Sequence, residues 1–212
     1  MKKYLLPLLL ACFSPVAFAH PHSFLDMQNK VLIENGKLNG FAMTWILDEI
    51  TSAELIYEIQ SSSDKTAAEA KITAELNQSA VDNHYFSEFY DDKDTPIKFK
   101  AQPVNPSISI KDNRLFYHFE LALAQPQSVA GRSFRLFSFE PSYYLYMGYE
   151  KFSDLTSTEQ TQCKISLEEP KVNQQLRLYA SKLDKTESPE MPSDESQSLG
   201  AQFAQKVKIE CP

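Results

Sequence analysis

FLDMQNKVLIE-NG-KLNGFAMTWIL, residues 24–47, is the stretch that decides the fold. Two runs rich in apolar residues flank Asn35-Gly36, a dipeptide favoured in two-residue hairpin turns because both central positions need positive φ. Counted outward from the turn without a bulge, Ile33 faces Leu38, Asp26 faces Trp45, and His22 falls opposite Glu49. In that register Leu25, Val31, Ile33 and Ile46 share one face, and Phe24, Leu32, Phe41 and Trp45 share the other. Both faces would then be covered over part of the hairpin. A hairpin this long often contains a bulge, which would reset the register.

Downstream the periodicity changes. Thr51, Ser52, Ala53 and Glu54 fit a capping box, followed by a short apolar stripe of Leu55, Ile56 and Ile59. Ser61-Ser62-Ser63-Asp64 breaks that helix. A second helix starts at Asp64, with Ala68, Ile72 and Leu76 four apart, and fades over 77–83. Tyr85, Phe86, Phe89 and Tyr90 form an aromatic cluster before the polar turn Asp91-Asp92-Lys93-Asp94. Asp112-Asn113 sets a second hairpin between 107–111 and 114–121. Ile108, Ile110, Leu115, Tyr117, Phe119 and Leu121 line one of its faces. Further short strands are expected at 132–140, 143–150, 161–168 and 204–210. The stretch 184–198 is rich in Glu, Ser, Pro and Asp and reads as a mobile surface loop. Hairpin, helices, then a run of strands predicts an α+β fold with a largely antiparallel sheet.

Upstream, residues 1–19 read as a cleavable secretory signal peptide. Lys2 and Lys3 precede an apolar run, and Ala17-Phe18-Ala19 has the small-x-small form of a cleavage site. Leu9-Leu10-Ala11-Cys12 loosely resembles a lipobox, with lipidation at Cys12, but the small-x-small pattern fits better. The apolar run is too short to span a bilayer, which needs about 20 residues. Residues 20–212 then form a single periplasmic domain that does not span a membrane. The whole chain has net charge −7, and losing Lys2 and Lys3 makes the remainder more acidic. That balance argues against nucleic acid and anionic lipid and is compatible with cations as ligands, most of the charges reading simply as a solvated acidic surface. Two cysteines remain, Cys163 and Cys211, an even count that reads as one disulfide in an exported chain. The closed loop of about 48 residues corresponds to about 4 kcal/mol in the chain-entropy model. It would pin the C-terminal strand near its end.

Cleavage after Ala19 would expose His20-Pro21-His22. The α-amine and the two imidazoles are three nitrogen donors within three residues. In extended backbone His20 and His22 point to the same side. Pro21 has no amide proton, so the square-planar chelate built on deprotonated amides cannot form. Amine and imidazole donors suit zinc, copper, nickel or cobalt rather than calcium or magnesium. The bland alternative is a frayed, solvated terminus. Asp48 and Glu49 follow the first hairpin. One reading makes them acids complementing a helix N-terminus; the other makes one of them a carboxylate completing the histidine site. His84 reads as a partly buried packing residue and His118 as a surface one. Asp91, Asp92 and Asp94 lack the Gly and terminal Glu of a calcium loop. No nucleophile elbow, phosphate-cradling loop or His-Glu-x-x-His occurs, so no enzymatic activity is expected.

Several of these features together resemble a proteobacterial periplasmic family known as domain of unknown function one thousand and seven. It is also labelled ABC-type uncharacterised transport system, periplasmic component. The resemblance rests on His20-Pro21-His22-Ser23-Phe24, Trp45 with Asp48-Glu49 and Ser52, Tyr85-Phe86, Glu140-Pro141-Ser142-Tyr143-Tyr144, and the last strand with Cys211. Leu47 and Ile50 stand where aromatic residues would be expected, and Glu140 where aspartate is usual. The resemblance implies a periplasmic accessory to transition-metal transport, working beside an inner-membrane metal permease. The alternative from another class is an interaction module that docks on a permease and binds no metal.

Overall fold

A computed structural model describes residues 21–158, 162–183, 189 and 191–212. The signal-peptide reading and His20 lie outside the described residues, as do 184–188 and 190 of the expected loop. The rest of that loop includes a 3-10 turn, Glu195–Gln197, ending on the fully buried Ser198.

The chain folds as α+β. Strands β1 (Ser23–Glu34) and β2 (Lys37–Leu47) form the long hairpin. Helices α1 (Glu49–Ser61) and α2 (Lys65–Asp82) follow, then β3 (Ser87–Asp91). Next come β4 (Val104–Lys111), β5 (Arg114–Ser128), β6 (Ser133–Ser138), β7 (Leu145–Gly148), β8 (Leu155–Ser157) and β9 (Lys164–Glu168). Helices α3 (Gln174–Ala180) and α4 (Leu199–Phe203) precede the last strand, β10 (Lys206–Glu210). One sheet runs β4-β5-β2-β1-β7, with β8 also on β1; the other runs β3-β6-β10-β9. Pairing is antiparallel except where β7 and β8 join β1 in parallel. Cys163 and Cys211 are disulfide-bonded.

The first hairpin departs from the unbulged register. Ile33 does pair with Leu38, but Leu32 pairs with Gly40, and from there Met27 faces Trp45 and Asp26 faces Ile46. A one-residue slip moves side chains to the opposite face. Phe41 and Trp45 therefore join Leu25, Met27, Val31 and Ile33 on one buried face, not on the face of Phe24 and Leu32. Gly40 makes the bulge possible: its φ is 154°, and a Cβ there would collide with the Leu121 carbonyl oxygen. The second hairpin keeps the expected register, with Lys111 on Arg114 and Ile108 on Tyr117.

Two local expectations are corrected. Helix α1 starts before the Thr51 box: Asp48 is its N-cap and accepts from the Thr51 amide at 2.8 Å. An extended residue with a side-chain acceptor caps better here because hairpin and helix meet directly at Asp48. His84 is exposed rather than packed, because it opens a left-handed turn. His84, Tyr85 and Phe86 have φ of 49°, 59° and 48°. Left-handed backbone costs an L-residue about 1–2 kcal/mol. Burial of Tyr85, its ring stacked 6.1 Å from Phe119 and its hydroxyl donating to the Lys100 carbonyl, offsets that strain. Helix α2 starts as read, with Asp64 capping through the Ala67 amide at 2.9 Å and Ala68 and Ile72 buried.

Candidate functional site

His22 is placed by main-chain pairing. Its amide and that of Ser23 both donate to the Tyr144 carbonyl, at 2.9 and 3.2 Å, where β7 begins to run alongside β1. Tyr144 is in turn placed by Glu140. The Glu140 carboxylate accepts from the Ser142 amide at 2.9 Å, the Ser142 hydroxyl at 2.6 Å and the Tyr144 amide at 2.8 Å. Tyr143 takes φ of 63° and buries its ring against Phe203, centroids 4.2 Å apart. Gly200 lets α4 approach, since a Cβ there would strike the Glu140 carbonyl oxygen. The Glu140-Pro141-Ser142-Tyr143-Tyr144 stretch is thus a carboxylate-braced loop that holds the N-terminal strand. Glu140 spends its oxygens on that loop.

The hairpin and α1 bring the acids to the same place. A pocket of about 720 Å³ is lined by His22, Phe24, Asp26, Asp48, Glu49, Ile50, Arg114 and Tyr144, among others. The His22 and Tyr144 rings lie 4.9 Å apart, tilted by 48°. Arg114 reaches across from β5, donating to the Leu47 carbonyl and, at 3.1 Å, to the Asp26 carboxylate. Phe24, Ile50 and Tyr144 leave 50%, 76% and 50% of their surface exposed, which gives the pocket an apolar rim.

The two neighbouring acids differ. Asp48 Oδ1 accepts from the Thr51 amide; Oδ2 accepts from the Ser23 hydroxyl at 2.8 Å and the Thr51 hydroxyl at 3.1 Å. Partial burial pushes its pKa up. The Thr51 amide and the Ser23 and Thr51 hydroxyls outweigh burial and hold the carboxyl below the usual aspartate range. Its lone pairs are committed to the cap and to β1. Glu49, one residue on, is exposed and has no hydrogen bond or ion pair among the described residues. Of the four residues expected to bind metal, the structure therefore gathers His22, Asp48 and Glu49 around one pocket. His20 lies outside the described residues. Among the described residues no group of three His, Cys, Asp or Glu side chains is arranged to hold a metal ion.

The remaining candidates are satisfied elsewhere. His118 bridges Thr44 Oγ1 at 3.0 Å and Ser109 Oγ at 2.8 Å across the outer sheet face, and burial pushes its pKa down. Asp91 and Asp92 pair with Arg132, and Asp94 pairs with Arg135. The sequence alone does not mark the brace at Glu140 or the crossing Arg114 as site residues. The Glu140-Pro141-Ser142-Tyr143-Tyr144 motif is a signal for the first; nothing local in the sequence marks Arg114, because its partners are 67 and 88 residues away.

Among the described residues no helix is long and apolar enough to cross a membrane. An uncharacterised protein of Haemophilus influenzae is 38% identical over 213 residues, covering the whole of both chains. No solved structure matches the chain. The family described as Protein of unknown function (DUF1007) matches residues 5–211, and the chain belongs to that family.

Proposed function

We propose that this is a non-enzymatic periplasmic accessory protein of a transition-metal transport system. It binds a late first-row divalent ion, zinc, nickel, cobalt or copper, at its mature N-terminus. The observation that carries this reading is the convergence on one pocket of His22, at the start of β1, with Glu49, at the start of α1. Three stretches distant in sequence, 22–24, 48–51 and the loop ending at Tyr144, have to be folded against each other to make that pocket. The donor set is imidazole and carboxylate, which suits these ions. His20 and the α-amine are the remaining donors, supplied by the segment entering at Pro21. Glu49 rather than Asp48 is the carboxylate ligand, because Asp48 is already saturated with donors. Handover is to an inner-membrane metal permease.

Intact-mass analysis of exported protein should find a chain beginning at His20. Calorimetry with zinc on that chain should give one site. An Ala placed ahead of His20 should weaken it, and His20→Ala with His22→Ala should remove it. Unchanged binding in the double variant would refute the site.

The exposed rim of Phe24, Ile50 and Tyr144 favours a second reading, a docking module for a permease that binds no metal. A wild-type chain that binds none of the four ions would select it.

A further inference from the structure

A cavity of about 550 Å³ lies beside the left-handed turn, within the size range of small-molecule sites. Val81, Tyr85, Phe89, Ile97 and Phe99 supply its apolar lining. The segment carrying Ile97 and Phe99 ties the two sheets together: the Ile97 amide donates to the Phe89 carbonyl, and the Lys100 amide to the Ala122 carbonyl, both at 2.8 Å. Tyr85 reaches the same segment through its hydroxyl, 3.2 Å from the Lys100 carbonyl. Three consecutive left-handed residues hold Tyr85 there. Strain of this kind gathers at ligand clamps.

The charges bordering the cavity are unequal. Glu88 accepts a hydrogen bond from the Tyr90 hydroxyl at 2.9 Å, and Tyr90 stacks on Phe137. Glu88 and Tyr90 also line the cavity, and that hydrogen bond already engages the Glu88 carboxylate. Lys98 and Lys100 stand exposed beside the opening, and neither has an ion pair among the described residues. Two uncommitted cations beside an aromatic cavity are distinctive in a chain of net charge −7.

The geometry points to a binding site for a small amphipathic anion, with its apolar body against Tyr85, Phe89, Ile97 and Phe99 and its single anionic head at Lys98 and Lys100. The site is separate from the His22 pocket and independent of metal.

Octanoate, octanol and octyltrimethylammonium serve as probes on the chain beginning at His20. The reporters are calorimetry and the fluorescence of Trp45, the single tryptophan, whose ring lies 5.9 Å from Phe86. Octanoate should bind saturably and about tenfold tighter than octanol, the effect of one charge-assisted contact. Lys98→Glu with Lys100→Glu should abolish that tenfold advantage without moving the thermal midpoint. Ile97→Trp, which fills the cavity, should remove octanoate and octanol binding together. The charge pair decides alone if Ile97→Trp does not fold. No saturable octanoate binding, a preference for octanol or the ammonium probe, or an unchanged advantage in the double variant would overturn the proposal.

Discussion

The pocket around His22 and the cavity beside Tyr85 are built in opposite ways. The first is a meeting of element starts: the beginning of β1, the beginning of α1 and the loop before β7. Its positions are fixed by hydrogen bonds, and its rim stays wet. The second is walled by core aromatics. Phe89 is 1% exposed and packs against Phe41 and Phe134, centroids 5.2 and 5.7 Å apart. The difference teaches where function and stability separate. Exposed side chains at the polar pocket, Glu49 and Phe24 among them, can change with little effect on folding, whereas the cavity shares its walls with the core.

The largest expected effect tests how far the cavity depends on its sheet. Replacing Cys163 and Cys211 with Ala opens a loop with a sequence separation of 48. Denaturant unfolding should show a loss of about 4 kcal/mol. Strand β10 lies between β6 and β9, and β6 pairs with β3, which carries Phe89. Octanoate binding should therefore weaken more than zinc binding does. Equal losses at both sites would remove the distinction.

Gly40→Ala should cost about 1–3 kcal/mol in the same measurement, since the added Cβ meets main chain of β5 at positive φ. A neutral result would mean that the bulge does not set the register of β1 against β2.

Asp48→Ala should cost about 1 kcal/mol, the usual effect of losing an N-cap. Its sign with pH follows from the lowered folded pKa. The Asp48 contribution is complete above the unfolded aspartate value, about 3.9. It is lost as pH falls through the lower folded value. Wild type and variant should therefore differ at neutral pH and converge in acid. A gap that persists at low pH would assign the effect to something other than the carboxylate. At the bottom of the scale, Phe24→Ser removes half-exposed surface and should change stability by less than about 0.5 kcal/mol.

How much of this was legible in the sequence follows from the range of the forces involved. Asp112-Asn113 fixed its hairpin because turn and register are set within a few residues. Asn35-Gly36 gave the turn equally well. Its register slipped because the bulge at Gly40 answers to the Leu121 carbonyl, a contact from another strand. Strand β3 was hidden inside an aromatic cluster, and the left-handed turn before it has no glycine to announce it. Helices α3 and α4 are short and held by tertiary contact, with Phe203 on Tyr143 and Gly200 under Glu140. Of the candidate pocket, His22, Asp48 and Glu49 were named from residue type and placement, and the structure puts them around one opening. Which neighbouring acid is available was not legible, because it depends on Ser23 and Thr51 converging on Asp48.

That division between adjacent acids gives the most direct test. Asp48→Asn and Glu49→Gln should be compared side by side on the chain beginning at His20, by thermal unfolding and by zinc calorimetry. If Glu49 is the ligand and Asp48 the cap, Glu49→Gln should weaken zinc about tenfold with an unchanged thermal midpoint. Asp48→Asn should lower the midpoint and leave zinc affinity in place. The reverse pattern, zinc lost with Asp48 and indifferent to Glu49, would contradict that assignment, as would a wild-type chain that takes up no zinc, nickel, cobalt or copper.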